Sequence, residues 1–231
     1  MFDKKRVTVL IFIVFFIVSG YVSAFDPEDE RDPYLYSPNN MKSLWKYKGS
    51  RKSSPDKKFN FEAYISDRYI SGGITNYVYY TPVESTRNVI FADETGCYIS
   101  FIRYPVPVLN FLFFTVELNP PIPMMLYPLE VGKKWEVEFT GTIDVDVLKL
   151  FKIERKGKVR SEITAMEIME INGREVKTYK VKSLIDEGNG VFNENYFWFG
   201  KGMGYVKGDT PHYFVELLDY KVREQRKPGE R

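Results

Sequence analysis

The sequence predicts an all-β fold: an antiparallel meander forming a strongly curved sheet or half-open barrel, with at most one or two short helices. Three observations carry this. Apolar and polar residues alternate with period two along one segment after another, as they do on a strand with one wet face. Glycine and Asn-Gly punctuation separates these segments at short intervals, which favours hairpins over crossovers. Long helical periodicity is absent, which speaks against alternating strands and helices.

The elements follow in order. Phe59, Phe61, Ala63 and Ile65 alternate with Asn60, Glu62, Tyr64 and Ser66, and Gly72-Gly73 then marks a turn. Residues 76–83 and 88–92 read as strands rich in Tyr, Val and Ile. Trp135, Val137, Phe139, Gly141, Ile143 and Val145 alternate with Glu136, Glu138, Thr140, Thr142 and Asp144 through one long strand. Residues 159–168 and 176–185 flank Asn172-Gly173, the strongest short-range hairpin signal. Gly188-Asn189-Gly190 makes the next turn, followed by strands at 195–200, 203–207 and 213–222. Residues 146–155 fit one short helix and 38–46 a further turn.

The N-terminus sets the expected compartment. Lys4, Lys5 and Arg6 precede an apolar run over 7–18, and Val22-Ser23-Ala24 places compact residues before Phe25. Residues 1–24 thus read as a signal peptide cut between Ala24 and Phe25. The apolar core spans about 18 Å as a helix, short of the ~30 Å hydrocarbon layer. Left uncut, the segment would tether the protein to the membrane. No cysteine lies near the cut site, which excludes an N-terminal lipid-modified cysteine. The expected plan is a charged leader at 25–34, one β domain at 35–222 and a polar tail at 223–231, periplasmic or secreted.

Charge narrows the partners. The chain has 33 basic and 31 acidic residues, and removing 1–24 leaves 30 of each. A balanced, interleaved surface, as in Lys152-Ile153-Glu154-Arg155-Lys156, gives no footprint for nucleic acid. Cys97 is the only cysteine, so no intramolecular disulfide forms and a buried, inert thiol is expected.

Several blocks resemble a known group. Asn119-Pro120-Pro121-Ile122-Pro123 leads to Pro128-Leu129-Glu130-Val131-Gly132-Lys133-Lys134-Trp135, a "PLxVGxxW" pattern. The stretch from Ile171 to Val181, Ile171-Asn172-Gly173-Arg174-Glu175-Val176-Lys177-Thr178-Tyr179-Lys180-Val181, matches its hairpin. Tyr196-Phe197-Trp198 through Gly202-Met203-Gly204-Tyr205-Val206-Lys207 matches a "YxWxxxGxGxVK" block, and Glu216-Leu217-Leu218-Asp219-Tyr220 a closing strand. Together they resemble secreted or periplasmic bacterial β proteins of unknown function, some of them compared with half-barrel lipoprotein carriers. The resemblance covers roughly 119–222 and implies a fold and a compartment, and no catalytic residues. Residues 59–118, rich in Tyr and Phe, match it less well.

Candidate chemistry is sparse. Any Ser/His/Asp or Cys/His arrangement would have to use His212, the only histidine, and neither it nor Cys97 sits in a nucleophile motif. One Cys and one His do not make a zinc site, and Asp144 with Asp146 reads as a water-facing pair rather than a calcium site. Glu136, Glu138 and Glu194 read as solvated. Gly200-Lys201-Gly202-Met203-Gly204 lacks the following helix and Lys-Ser/Thr ending of a phosphate loop, so it reads as a turn.

The densest apolar stretch is 104–116, with Pro123-Met124-Met125-Leu126 close behind. Pro105 and Pro107 point to an edge or loop there, and so to the lid or wall of an apolar cavity, against the plainer reading of a buried strand. The expected function is a non-enzymatic binding or carrier protein. It would hold an apolar, lipid-like ligand on the concave sheet, with Trp135, Trp198, Phe111, Phe113, Met124 and Met125 as contacts. No cofactor or metal is expected. The alternative is a cell-envelope structural or interaction module with a protein partner, and an uncharacterised hydrolase ranks third. Membrane contact is expected only through an uncut N-terminal segment.

Overall fold

Every strand pairs antiparallel with its neighbours in sequence, and the last pairs with the first. The computed structural model describes residues 43–81, 85–106, 109–145 and 152–221. The sequence-based readings of 1–24, 25–34, Pro107, Asp146 and 223–231 lie outside the described residues. The strands are β1 (Leu44–Arg51), β2 (Ser54–Ser71), β3 (Ile74–Thr81), β4 (Thr86–Ala92), β5 (Gly96–Val106) and β6 (Leu109–Leu126). They continue as β7 (Lys134–Val145), β8 (Ile153–Ile171), β9 (Arg174–Asp186), β10 (Asn193–Gly200), β11 (Gly204–Asp209) and β12 (Tyr213–Lys221).

The all-β meander stands, and the half-open barrel is corrected to a closed one. Trp45 in β1 lies opposite Ala63 of β2 on one side and Tyr220 of β12 on the other. A strand paired on both edges leaves no unpaired N–H row at a seam. The Asn172-Gly173 hairpin forms as expected, with φ of 51° and 73° at the two turn residues. Of the suggested helix over 146–155, the residues from Ile153 belong to β8; of the turn over 38–46, those from Leu44 belong to β1.

The proline-rich segment belongs to the barrel wall. Pro105 lies in β5 opposite Phe113 of β6, past Arg103 where the β4 ladder ends, and β6 pairs with β5 and, from Phe114 to Asn119, with β7. The prolines act locally. Pairing with β7 stops at Asn119, and the β5 ladder slips between Ile99 and Phe101, where Pro120 and Pro121 offer no N–H.

The interior divides into two kinds of packing. On the β1, β2, β10 and β11 side, rings fill the space. Tyr47 stacks on Phe61 with centroids 5.1 Å apart, and fully buried Tyr205 meets Tyr47, Phe197 and Phe199. The Tyr47 hydroxyl donates to the Tyr205 carbonyl at 3.0 Å. On the β5–β9 side the interior is mainly aliphatic, from Ile99, Ile102, Val116, Leu118, Ile143 and Ile185. Short, β-branched side chains are stiff and reach less far than rings.

The outer face carries charge. Lys48 meets Glu216 at 2.9 Å, Lys158 meets Glu136 at 2.7 Å, and Arg160 meets Glu136 at 2.6 Å. Such exposed pairs add little stability, but they mark these strands as a water-facing wall. A lipid-facing barrel presents an apolar band instead. Tyr69, Ile70 and Ile74 make an apolar tip on the β2–β3 hairpin, at the end of the barrel opposite the cavity described next.

Candidate functional site

Period-two alternation aims one set of side chains from five strands at a common point. In β7, Phe139, Gly141 and Ile143 turn inward while Glu136 and Glu138 ion-pair outside. Val116, Leu118 and Ile122 of β6 and Ile99 and Ile102 of β5 face them across the interior. Ile185 and Glu187, at the end of β9, and Arg155 of β8 complete the lining of a cavity of about 40 Å³. That is several times the room a single water needs, on the order of 10–15 Å³, and far below the roughly 300–1,000 Å³ of drug-sized pockets.

Glu187 is the unusual member. It is 9% exposed, and its Oε1 is buried with no hydrogen-bond partner. Burial pushes its carboxyl up to about 8, with Arg155 pulling it down and Asp186 pushing it further up. The neighbouring turn holds it in place. Asp186 Oδ1 accepts from the backbone N–H groups of Gly188, Asn189 and Gly190 at 2.9–3.0 Å, so Asp186 caps its own loop while Glu187 turns inward. Tyr104 of β5, 3% exposed, belongs to the same electrostatic group. Burial raises its phenol to about 12, with Glu187 adding to the rise and Arg155 opposing it.

The wall beside Glu187 depends on Gly157. A Cβ there would stand 2.3 Å from Phe139 Cζ and 2.8 Å from the Asp186 carbonyl oxygen. Gly157→Ala is therefore expected to displace the ring and the Asp186 turn together, costing about 1–3 kcal/mol. Urea denaturation checks this; a loss below ~0.5 kcal/mol would mean that the ring swings aside freely.

The residues singled out from sequence do not assemble into one pocket. Trp135 points inward and donates its indole N–H to the Pro123 carbonyl at 3.1 Å. Trp198 faces the side of β10 opposite to Phe197 and Phe199. It lies between Lys180 and Lys207, 4.9 and 4.7 Å from its ring centre, and donates to Glu167 at 2.9 Å. Phe113 is half-buried under the Arg103 guanidinium at 4.0 Å. Met124 and Met125 are buried in the core. The Phe111 side chain lies outside those described. None of the other five lines the cavity.

Cys97 is buried at one end of β5 and His212 lies in the β11–β12 turn, so the two stand at opposite ends of the barrel. Gly200 to Gly204 form a tight turn in which Met203 N–H donates to the Gly200 carbonyl. Asp144 sits in β7 opposite Thr115.

Sequence reading missed Glu187; Arg155, read as part of a solvated run, is exposed and also borders the cavity. The available signal was parity: Glu187 continues the inward series Val181, Ser183, Ile185, and Arg155 the series Val159, Gly157.

Fold and site together define a class: a closed antiparallel β-barrel, charged outside, with an apolar interior cavity that the buried Glu187 borders. No protein-family model matches the chain, and no curated protein matches it. Two crystal structures are similar to it. One is of a candidate lipoprotein from Parabacteroides distasonis, with 11% identity over 81% of this chain and 98% of the other and a TM-score of 0.42. The second is of a candidate exported protein with a YmcC-like fold from Bacteroides fragilis, with 11% identity over 80% and 97% and a TM-score of 0.40.

Proposed function

We propose that this chain is an exported binding protein, without catalytic machinery of its own, that holds an aliphatic chain end inside its barrel. The export half rests on the N-terminal pattern of Lys4, Lys5 and Arg6, an apolar run and Val22-Ser23-Ala24. The binding half rests on one observation: an apolar cavity lined by aliphatic side chains of β5, β6, β7 and β9 inside a closed barrel. An apolar guest there would remove its own surface and that of the aliphatic lining from water. The small volume limits the guest to a few carbons, or to the end of a longer chain.

The affinity for a four-carbon probe is expected to be modest, with a Kd on the order of 1 mM, because few atoms are buried. Gly141 supplies a control. A Cβ there has its nearest contact at 3.4 Å, so Gly141→Leu fits the strand and projects into the cavity. Titration of labelled protein with n-butanol is expected to give saturable amide shifts confined to β5–β9, lost in Gly141→Leu. Unsaturable shifts, or equal binding by both proteins, would rule the reading out.

A further inference from the structure

We infer that the end of the barrel remote from the cavity docks on a lipid bilayer, with the tip of the β2–β3 hairpin inserted into the interfacial layer. The inference rests on the exported location proposed above and not on the cavity. The sequence alone confines membrane contact to an uncut N-terminal segment; the barrel adds a contact of its own.

In a closed meander alternate turns fall at the same end. The β2–β3, β6–β7 and β8–β9 turns therefore share one rim, and Ser43 leads the chain into β1 there. This rim is rich in exposed apolar side chains. Ile70 is 75% exposed, with Tyr69 and Ile74 beside it, and Val131 in the β6–β7 turn and Ile168 near the β8–β9 turn are 57% and 59% exposed. At the other end stand Ile153, Val191 and Phe192, the last under the Arg160 guanidinium at 4.7 Å.

The β2–β3 hairpin stands out from the wall. Pairing of β2 with β1 ends at Tyr64 and pairing of β3 with β4 at Tyr77, so beyond these residues the two strands pair only with each other among the described residues. A Cβ on Gly72 or Gly73 would meet nothing within 4 Å. The ladder sets Ser71 opposite Ile74 and Ile70 opposite Thr75, so Tyr69 and Ile74 share one face and Ile70 occupies the other. The tip of this ribbon is apolar on both faces.

That arrangement favours one occupant. A folded partner or a second copy covers one face and needs a continuous patch of roughly 800 Å² on each side. A bilayer surrounds a wedge on both faces and accepts separate apolar points, such as Val131 and Ile168 elsewhere on the same rim. Tyr69 supplies a ring with a polar tip, which suits the headgroup layer. Asp67 and Arg68 follow directly and the ribbon's free edges need water, so insertion is limited to a depth on the order of 10 Å. The other turns of this rim carry both signs, Asp93, Glu94 and Glu130 with Lys133 and Lys201, so no preference for anionic lipid is expected. The chain upstream of Ser43 carries the apolar run at 7–18, so an uncut protein turns this same rim toward the bilayer.

The test is flotation of the exported form, residues 25–231, on phosphatidylcholine vesicles with and without phosphatidylglycerol; its barrel is complete without the N-terminal segment. The bound fraction is expected to rise with lipid, and to differ less than about twofold between the two vesicles and between about 50 and 500 mM salt. Ile70→Ser combined with Ile74→Ser is expected to lower the partition constant about tenfold, against less than about twofold for Val191→Ser at the other end. Independently, Ile70→Trp is expected to be quenched by vesicles with brominated acyl chains at least about twice as strongly as the wild type, whose Trp45, Trp135 and Trp198 are buried. No binding to either vesicle, equal losses in Val191→Ser and the double variant, binding abolished by salt, or Ile70→Trp quenched no more than the wild type each overturns the inference. A dimer in solution that the double variant breaks assigns the tip to a second copy and overturns it too. None of these results bears on the butanol titration, so the cavity's binding role stands or falls separately.

Discussion

Glu187→Gln is expected to make the protein more stable at pH 9 than the wild type by a few kcal/mol, with a much smaller difference at pH 4. The sign follows from proton linkage. The folded carboxyl titrates at about 8 against an ordinary 4.5. Below 4.5 both folded and unfolded chains hold the proton, so this group leaves stability intact. Between 4.5 and 8 the folded chain keeps the proton and the unfolded chain releases it, so rising pH favours unfolding. Each pH unit in that window costs up to about 1.36 kcal/mol. The ceiling over the window is about 5 kcal/mol, and solvent relaxation near the barrel end reduces it to a few. Glutamine is neutral throughout, so its profile lacks this slope. Urea unfolding of both proteins at pH 4, 7 and 9 measures the difference directly. Parallel profiles would mean that Glu187 ionises in the fold as easily as in the unfolded chain.

Trp45→Ala is the second large effect, expected to cost about 3–5 kcal/mol. Trp45 is fully buried and meets the Tyr79 ring at 6.0 Å. Its indole nitrogen is buried without a hydrogen-bond partner, so removing it orphans no other group and the loss is one of packing. The position matters as much as the size. β1 is the strand on which the barrel closes, with Trp45 opposite both Ala63 and Tyr220. A void there loosens both ladders at once. Against a total stability of about 5–15 kcal/mol for a typical domain, this is a large share. It would appear as a lower urea midpoint at unchanged slope. A loss below about 1 kcal/mol would show that neighbouring rings collapse into the space.

Much of the architecture was legible because hairpins are local. Asn172-Gly173 and Gly72-Gly73 mark turns between alternating segments, and both turns form where expected. The prolines misled for a physical reason. Pro105, Pro120 and Pro121 each remove a donor, which in an isolated strand signals an edge. Here β5 and β6 absorb them through register shifts and stay paired with each other, while the ladders to β4 and β7 end at Arg103 and Asn119. The two tryptophans differ in facing: Trp135 points inward and bonds the Pro123 carbonyl. Trp198 falls on the face with Lys180 and Lys207, where cations lie over its ring.

Alternation along the chain by itself determined most of the strands after Lys134, with β2 to β4, and which of their residues share a face, because that information sits within a few positions of each residue. Only the tertiary structure decided that β1 meets β12 and that five strands leave a gap among their aliphatic side chains. It alone decided that Glu187, one acidic residue among 31, loses its water. Closure and desolvation depend on groups brought together from distant parts of the chain, and a carboxyl's charge state follows from those neighbours rather than from its place in the sequence.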